Sequence, residues 1–189
     1  MALSETETPA PTIAGAQREM RVAYYGGAPG MLTSATVWLI AGIIAVTRSP
    51  DRAIWALFVG GMLIHPVSGL LTKILGRSGK HRAGNPLGAL ALATTFWMIL
   101  MLPLAYAVSR LRLEWFFPAM LFIIGGRYLT FSTLFGTRIY WFCGAALVLA
   151  GLALGRANAS PAFGAFAGAA IEAAFAATIF ATARRETTA

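Results

Sequence analysis

The 189-residue chain has few charged residues: Asp, Glu, Lys and Arg make up 12% of it, against about 25% in soluble domains. Apolar residues make up 58%. This composition excludes an ordinary soluble enzyme, and it excludes a disordered chain, which would be polar. Cys143 is the single cysteine, so an internal disulfide is excluded as well.

The chain also lacks the motifs of several common active sites. H-E-x-x-H, G-x-S-x-G, a Walker A sequence and G-x-G-x-x-G before a strand are all missing. Its two histidines cannot build a dense transition-metal site or a two-histidine haem site. Asp51 is the only aspartate, which excludes intramembrane proteolysis by paired aspartates. We therefore assign no catalytic residue and expect no metal and no cofactor.

Basic residues outnumber acidic ones by fifteen to seven, for a net charge of +8. Most of them lie between long apolar runs, which is typical of membrane proteins. No basic patch is interleaved with aromatic residues for stacking on bases. We expect a lipid bilayer as the partner, and no nucleic acid.

Six segments approach or exceed the length of about 20 mainly apolar residues that a membrane-spanning helix needs. They cover residues 29–47, 53–72, 86–108, 115–135, 139–154 and 161–183. The sequence predicts an all-α, polytopic transmembrane bundle at 26–183. A disordered, juxtamembrane tail is predicted at 1–25 and a short tail at 184–189.

The distribution of Lys and Arg predicts the orientation of this bundle. Six spans place both tails on one side, which carries nine of the fifteen basic residues; the opposite side carries five, and Arg127 lies within a span. Cytoplasmic loops carry the excess of positive charge, so both termini are predicted to be cytoplasmic. The Ala-, Gly- and Arg-rich composition is compatible with a bacterial source, and we expect a multi-pass protein of the inner (plasma) membrane.

Three ionisable residues lie deep in the predicted spans: His65, Arg127 and Glu172. Each follows the outer end of its span by 11 or 12 residues, about 17–18 Å at 1.5 Å per residue. That depth is near the middle of a ~30 Å core, where a charge costs about 2.5–3.5 kcal/mol on insertion scales. Because pairing lowers this cost, we expect Glu172 and Arg127 to pair in the bundle interior with His65 hydrogen-bonded nearby.

Small residues accompany two of these three residues at helical spacing. Gly164, Gly168 and Glu172 share one helix face, and Gly61, His65 and Gly69 repeat the pattern in the second span. Such faces normally pack against another helix. Hydroxyl residues are candidates to line a polar cavity or, alternatively, to bond to their own backbone; they are Ser34, Ser68, Thr94, Thr95 and Thr130.

The largest predicted loop is basic, and four of its residues are candidates to bind anionic lipid headgroups: Lys73, Arg77, Lys80 and Arg82. Charge that only sets the topology is the alternative. Glycine-rich faces on the fifth and sixth spans permit a homodimer. A protein partner cannot be named from the sequence.

Three stretches resemble an uncharacterised family of small bacterial integral membrane proteins with six spans. They are Gly60-Gly61-Met62-Leu63-Ile64-His65-Pro66-Val67-Ser68, Gly84-Asn85-Pro86-Leu87, and Pro118-Ala119-Met120 continuing to Arg127-Tyr128-Leu129. The resemblance covers most of the membrane region. It implies six spans and carries no known activity.

Three functions remain open at this point. The first is a small transport or permeation protein whose polar residues bind a proton or a small polar or anionic solute. The second is a non-catalytic scaffold or accessory subunit in which the same residues only hold helices together. The third is a membrane-embedded enzyme acting on lipid, with Glu172 or His65 as acid or base; a lipid-open cleft holding both side chains would favour it.

Overall fold

A computed structural model describes residues 12–188, with side chains described from residue 12 to residue 183. This part of the chain is all helical and contains no strand. Its helices are α1 (Ile13–Tyr24), α2 (Ala28–Thr47), α3 (Pro50–Ile74), α4 (Leu87–Leu111), α5 (Phe116–Phe135), α6 (Ile139–Arg156) and α7 (Pro161–Thr188).

Helices α2 to α7 coincide with the six predicted spans, and the described chain has six helical segments long and apolar enough to cross a membrane. The chain is therefore a multi-pass membrane protein. Proline and capping residues start several helices: Ser49 accepts a hydrogen bond from the Arg52 amide at the start of α3, and Pro161 opens α7. Gly136, in the left-handed region at φ 64°, ends α5 directly after residue 135, the predicted end of the fourth span.

Part of the predicted disordered tail is ordered, so that prediction is wrong for residues 13–24. They form α1, which begins at its cap Thr12. Three apolar residues at helical spacing, Ala16, Met20 and Ala23, are buried. Residues 1–11 lie outside the described part of the chain.

Helix α1 is fastened to one end of the bundle, which we call the α1 end. Gln17 donates to the Thr133 carbonyl and Arg21 to that of Phe135. Asn85 donates to the Ala16 carbonyl at 3.1 Å and to the Glu19 carboxylate at 3.1 Å. The helix is thus held between the α3–α4 loop and the α5–α6 turn.

Close helix contacts depend on glycine. The backbones of α5 and α6 approach so closely that a Cβ on Gly144 would lie 2.7 Å from the Gly125 carbonyl oxygen. Between α2 and α7, a Cβ on Gly168 would lie 2.6 Å from the Trp38 ring, and one on Gly42 2.6 Å from the Phe166 ring. Such contacts drive helix association in membranes, where the hydrophobic effect between helices is absent.

The glycines of α6 and α7 therefore pack inside this chain. Gly144 and Gly151 of α6 face α5, and Gly164 and Gly168 of α7 face α5 and α2. Their availability to a second copy was the reason given for a homodimer, and that reason is lost. The homodimer itself remains a prediction.

Candidate functional site

Glu172 is fully buried, with 0% of its surface exposed. The stripe of small residues that precedes it on α7 makes this burial feasible. Phe117 of α5 packs on Gly164, and Trp38 of α2 packs on Gly168. Because both neighbours come close to the α7 backbone, the next turn of this face carries Glu172 into the junction of α2, α5 and α7.

The Glu172 carboxyl group lies among three side chains with donor groups, Tyr128, Ser34 and Trp38. The Tyr128 hydroxyl donates to Oε1 at 3.1 Å. Ser34 and Trp38 lie beside the same carboxyl group. Within the described side chains, neither Glu172 Oε2 nor the Trp38 indole nitrogen has a hydrogen-bond partner. The unpaired acceptor and the unpaired donor adjoin each other, so that a small movement of either side chain pairs them.

Aromatic rings fill the space between this site and the α1 end. Tyr128 stacks on Tyr140, with ring centroids 5.9 Å apart, and Phe131 and Phe135 pack against Tyr140. The Tyr140 hydroxyl donates to the Gly26 carbonyl. The rings thus connect the Glu172 partner with the turn that joins α1 to α2.

Arg127 is half-buried and turns toward α4. Its guanidinium donates to Thr95 Oγ1 at 3.0 Å and to Met98 Sδ at 3.4 Å, and it lies 5.1 Å from the centroid of the Phe131 ring. Its Nε is buried without a partner in the described structure. Arg127 therefore forms a second polar site, between α4 and α5.

The predicted Glu172–Arg127 ion pair is wrong. The carboxyl group accepts from Tyr128, and the guanidinium donates to Thr95 and Met98. Consecutive residues of an α-helix point about 100° apart, so Tyr128 and Arg127 cannot both face α7. The two charged groups are still near enough for an electrostatic interaction.

The prediction that His65 joins them in the interior is also wrong. His65 is exposed on the surface of the bundle. A Cβ on Gly61 or Gly69 would meet nothing within 4 Å, whereas one on Gly60 would lie 2.5 Å from Val37 of α2. Helix α3 thus packs through the face next to the predicted one, and His65 and Glu172 share no cleft.

The candidate hydroxyl residues divide into two groups. Ser34 and Thr95 contact the polar site residues, as described above, and Thr95 also donates to the Ala91 backbone carbonyl at 2.9 Å. The other three donate to backbone carbonyls, the alternative considered from the sequence: Ser68 to His65 at 3.0 Å, Thr94 to Ala91 at 3.0 Å and Thr130 to Arg127 at 2.7 Å.

The four headgroup candidates lie at the α1 end. Lys73, Lys80 and Arg82 are exposed, and Arg77 is half-buried. The backbone amide of Arg82 donates to the Glu19 carboxylate, which helps to hold α1. Binding of lipid by these residues remains a prediction.

Two residues of the site, Tyr128 and Trp38, were not predicted from the sequence. Trp38 offered a signal: it lies near the middle of α2, whereas tryptophans of membrane proteins concentrate at the interfaces. A tryptophan at that depth marks a place where its N–H group needs a polar neighbour. The signal for Tyr128 was its position directly after Arg127 in the same span.

A family model described as a family of unknown function (DUF7010) matches residues 13–182. The chain belongs to this family. The match begins with α1 and ends within α7, so the family includes the helix at the α1 end as well as the six spans. Comparisons with curated proteins and with solved structures return no match. The chain is thus a membrane protein of an uncharacterised family.

Proposed function

We propose that the protein is a small membrane transport or permeation protein, and that Glu172 binds the transported proton or small polar solute. The observation that carries the proposal is the fully buried carboxyl group of Glu172, which lies in the middle of the bundle beside Tyr128, Ser34 and Trp38. Ionisable residues inside membrane spans are costly, and they commonly mark proton and ion pathways.

A proton is the first candidate among the solutes. Glu172 is enclosed, with 0% of its surface exposed, which leaves little room for a larger ligand. Proton binding at Oε2 would neutralise the buried carboxylate, and the Tyr128 hydroxyl can donate to Oε1 in either state. Arg127 is half-buried beside Thr95 and is the better place for a small anionic solute.

The alternative is a scaffold or accessory subunit in which these residues only hold helices together. The Tyr128–Glu172 hydrogen bond supports it, because it joins α5 to α7. The exposed position of His65 supports it too, since a relay between His65 and Glu172 would need the two side chains to meet. An enzyme acting on lipid has less support, because Glu172 is enclosed and lies in no cleft shared with His65.

The test uses the full chain reconstituted into liposomes that contain a pH-sensitive dye. With a proton gradient imposed, the wild-type protein should dissipate it faster than protein-free liposomes do, and Glu172→Gln should abolish the difference. Glu114→Gln is the matched control, because it makes the same chemical change in the turn before α5. If the proton gradient decayed equally fast in liposomes with the wild-type protein and in protein-free liposomes, the proposal of proton transport would be overturned.

A second measurement separates transport from a structural contact. The melting temperature of each reconstituted variant is compared with that of the wild type. Transport predicts that Glu172→Gln remains folded and loses flux. If Glu172→Gln lowers the melting temperature while flux per folded molecule is unchanged, the scaffold alternative is favoured. Arg127→Gln, measured with a small anion gradient, tests the second polar site in the same way.

A further inference from the structure

A pocket of about 380 Å³ lies at the α1 end, between α1 and the loop that follows α3. Most of its lining comes from one face of α1, on which residues three or four apart in the sequence lie side by side. That face contributes Gly15, Arg18, Glu19, Val22 and Ala23, and the loop contributes Ser78 and Lys80. The volume falls within the range of about 300–1,000 Å³ that is usual for small-molecule sites.

Hydrogen bonds hold the two walls of this pocket together. The Gly79 amide donates to the Ala23 carbonyl at 3.0 Å, and Glu19 binds the same loop further along the chain. Within the loop, the Ser78 hydroxyl donates to the Lys80 carbonyl at 2.9 Å, and the Lys80 amide donates to that hydroxyl at 3.2 Å. The backbone that carries the lining side chains is therefore fixed before any ligand binds.

Two cations of the lining, Arg18 and Lys80, have no acidic partner in the described part of the chain. Both side chains are exposed, so their charged groups are accessible from outside the bundle. The single acidic residue of the lining is Glu19, and its two oxygens already accept from the Arg82 amide and the Asn85 side chain. The lining thus keeps a net positive charge that can bind an anion.

We propose that this pocket binds a phosphate group through Arg18 and Lys80. The planar guanidinium can donate two parallel hydrogen bonds to phosphate oxygens, and the ammonium group adds a point charge. A phospholipid headgroup and a soluble phosphate are both sources of such a group at the end of the bundle. Among the four headgroup candidates the proposal selects Lys80, and it adds Arg18. It does not depend on the transport function, because the pocket lies at the α1 end and contains no part of the Glu172 site.

The experiment measures the binding of two probes to the purified full chain in a neutral detergent. Equilibrium dialysis with radiolabelled inorganic phosphate measures the affinity for a soluble anion. Native mass spectrometry counts retained phosphatidylglycerol against retained phosphatidylcholine. Arg18→Gln and Lys80→Gln each remove one cation of the pocket. Their matched controls are Arg138→Gln and Lys73→Gln, which remove an exposed cation outside the lining at the same end of the bundle and leave the same net charge.

Each pocket variant should weaken binding of at least one probe about fivefold, the effect of roughly one basic residue near a phosphate. The two control variants should behave as the wild type. Weaker binding of inorganic phosphate supports a soluble source, weaker retention of phosphatidylglycerol supports a headgroup, and both together support a site that accepts either. The proposal would be overturned if the wild type bound no inorganic phosphate and retained both lipids equally. It would also be overturned if Arg18→Gln and Lys80→Gln matched their controls.

A second pair of variants tests the pocket without changing any charge. Val22→Trp fills the pocket from a lining position that is 52% exposed. Ile13→Trp is its control, because it places the same side chain on α1 at a position that is 68% exposed and outside the lining. Val22→Trp should weaken binding of the same probe as the charge variants do, and Ile13→Trp should not.

A loss of binding could also come from a disturbed fold. The melting temperature of each variant is therefore measured in the same detergent, and only folded variants are compared. Wild-type binding of both probes by a folded Val22→Trp protein would contradict a phosphate group in this pocket.

Discussion

The Tyr128 hydroxyl donates a hydrogen bond of 3.1 Å to Oε1 of Glu172, and this bond joins α5 to α7 in the middle of the bundle. Both side chains are buried, at 6% and 0% exposure. The bond replaces the ion pair with Arg127 that the charges alone suggested. A buried carboxyl group is thus satisfied at one oxygen by a neutral donor, while the cation is held by a different helix.

The first prediction concerns this hydrogen bond. Tyr128→Phe removes the donor and leaves Oε1 of Glu172 buried without a partner. Because a buried polar group that loses its partner costs about 1–3 kcal/mol, the free energy of unfolding should fall by about that amount. Denaturant unfolding in detergent measures it. Tyr106→Phe, at a position 37% exposed, is the control and should change the free energy much less.

The double variant Tyr128→Phe, Glu172→Met extends this test, because the methionine side chain has no carbonyl oxygen that could accept from the Tyr128 hydroxyl. A double-mutant cycle isolates the energy that couples the two side chains. A coupling energy near zero would contradict the assignment of this hydrogen bond as a stabilising contact between α5 and α7.

The second prediction concerns the close approach of α5 and α6. Gly144→Ala places a Cβ about 2.7 Å from the Gly125 carbonyl oxygen, so the helices must separate. Overpacking of this kind costs about 1–3 kcal/mol, and the free energy of unfolding should fall accordingly. Gly61→Ala is the matched control, because a Cβ there meets nothing within 4 Å. If both variants lowered the free energy of unfolding equally, the close contact at Gly144 would not be the cause, and the prediction would be contradicted.

The third prediction concerns the fastening of α1. Asn85 donates to Ala16 and Glu19 and accepts from the Leu87 amide at 3.0 Å. Asn85→Ala removes all three contacts and should cost about 1–3 kcal/mol, since buried backbone groups lose their partners. Hydrogen exchange should accelerate in the amides of α1. Thr36→Ala, at an exposed position of α2, should leave the exchange of α1 unchanged; unchanged exchange in Asn85→Ala would mean that other contacts suffice to hold the helix.

The number and approximate bounds of the spans could be predicted from the sequence, because each depends on a local property. A run of apolar residues of sufficient length is helical in a membrane whatever surrounds it, since its backbone groups must be satisfied within the segment. The same local argument ended the fourth span at residue 135, which put Arg127 within a span. Helix α1 was not predicted from the sequence, because its apolar pattern is short and it carries several charges. Its burial depends on contacts with Thr133, Phe135 and Asn85.

The face that each helix presents to its neighbours was only partly predictable. For α7, the stripe of Gly164, Gly168 and Glu172 does face other helices, as expected. For α3, the equivalent stripe of Gly61, His65 and Gly69 lies outside, and Gly60 makes the contact with Val37 instead. A spacing of four residues identifies a face of small residues, but it cannot identify which neighbour, if any, will cover that face.

The sequence by itself determined a six-span helical membrane protein with three ionisable residues at depth, because hydrophobic length and helical rise are properties of single segments. Only the tertiary structure decided which of those residues share a site. Rotation of each helix about its own axis is set by packing with its neighbours, and it turned Glu172 toward Tyr128, Arg127 toward Thr95 and His65 toward the outside. A difference of about 100° between adjacent positions on one helix was sufficient to exchange an ion pair for two separate polar sites.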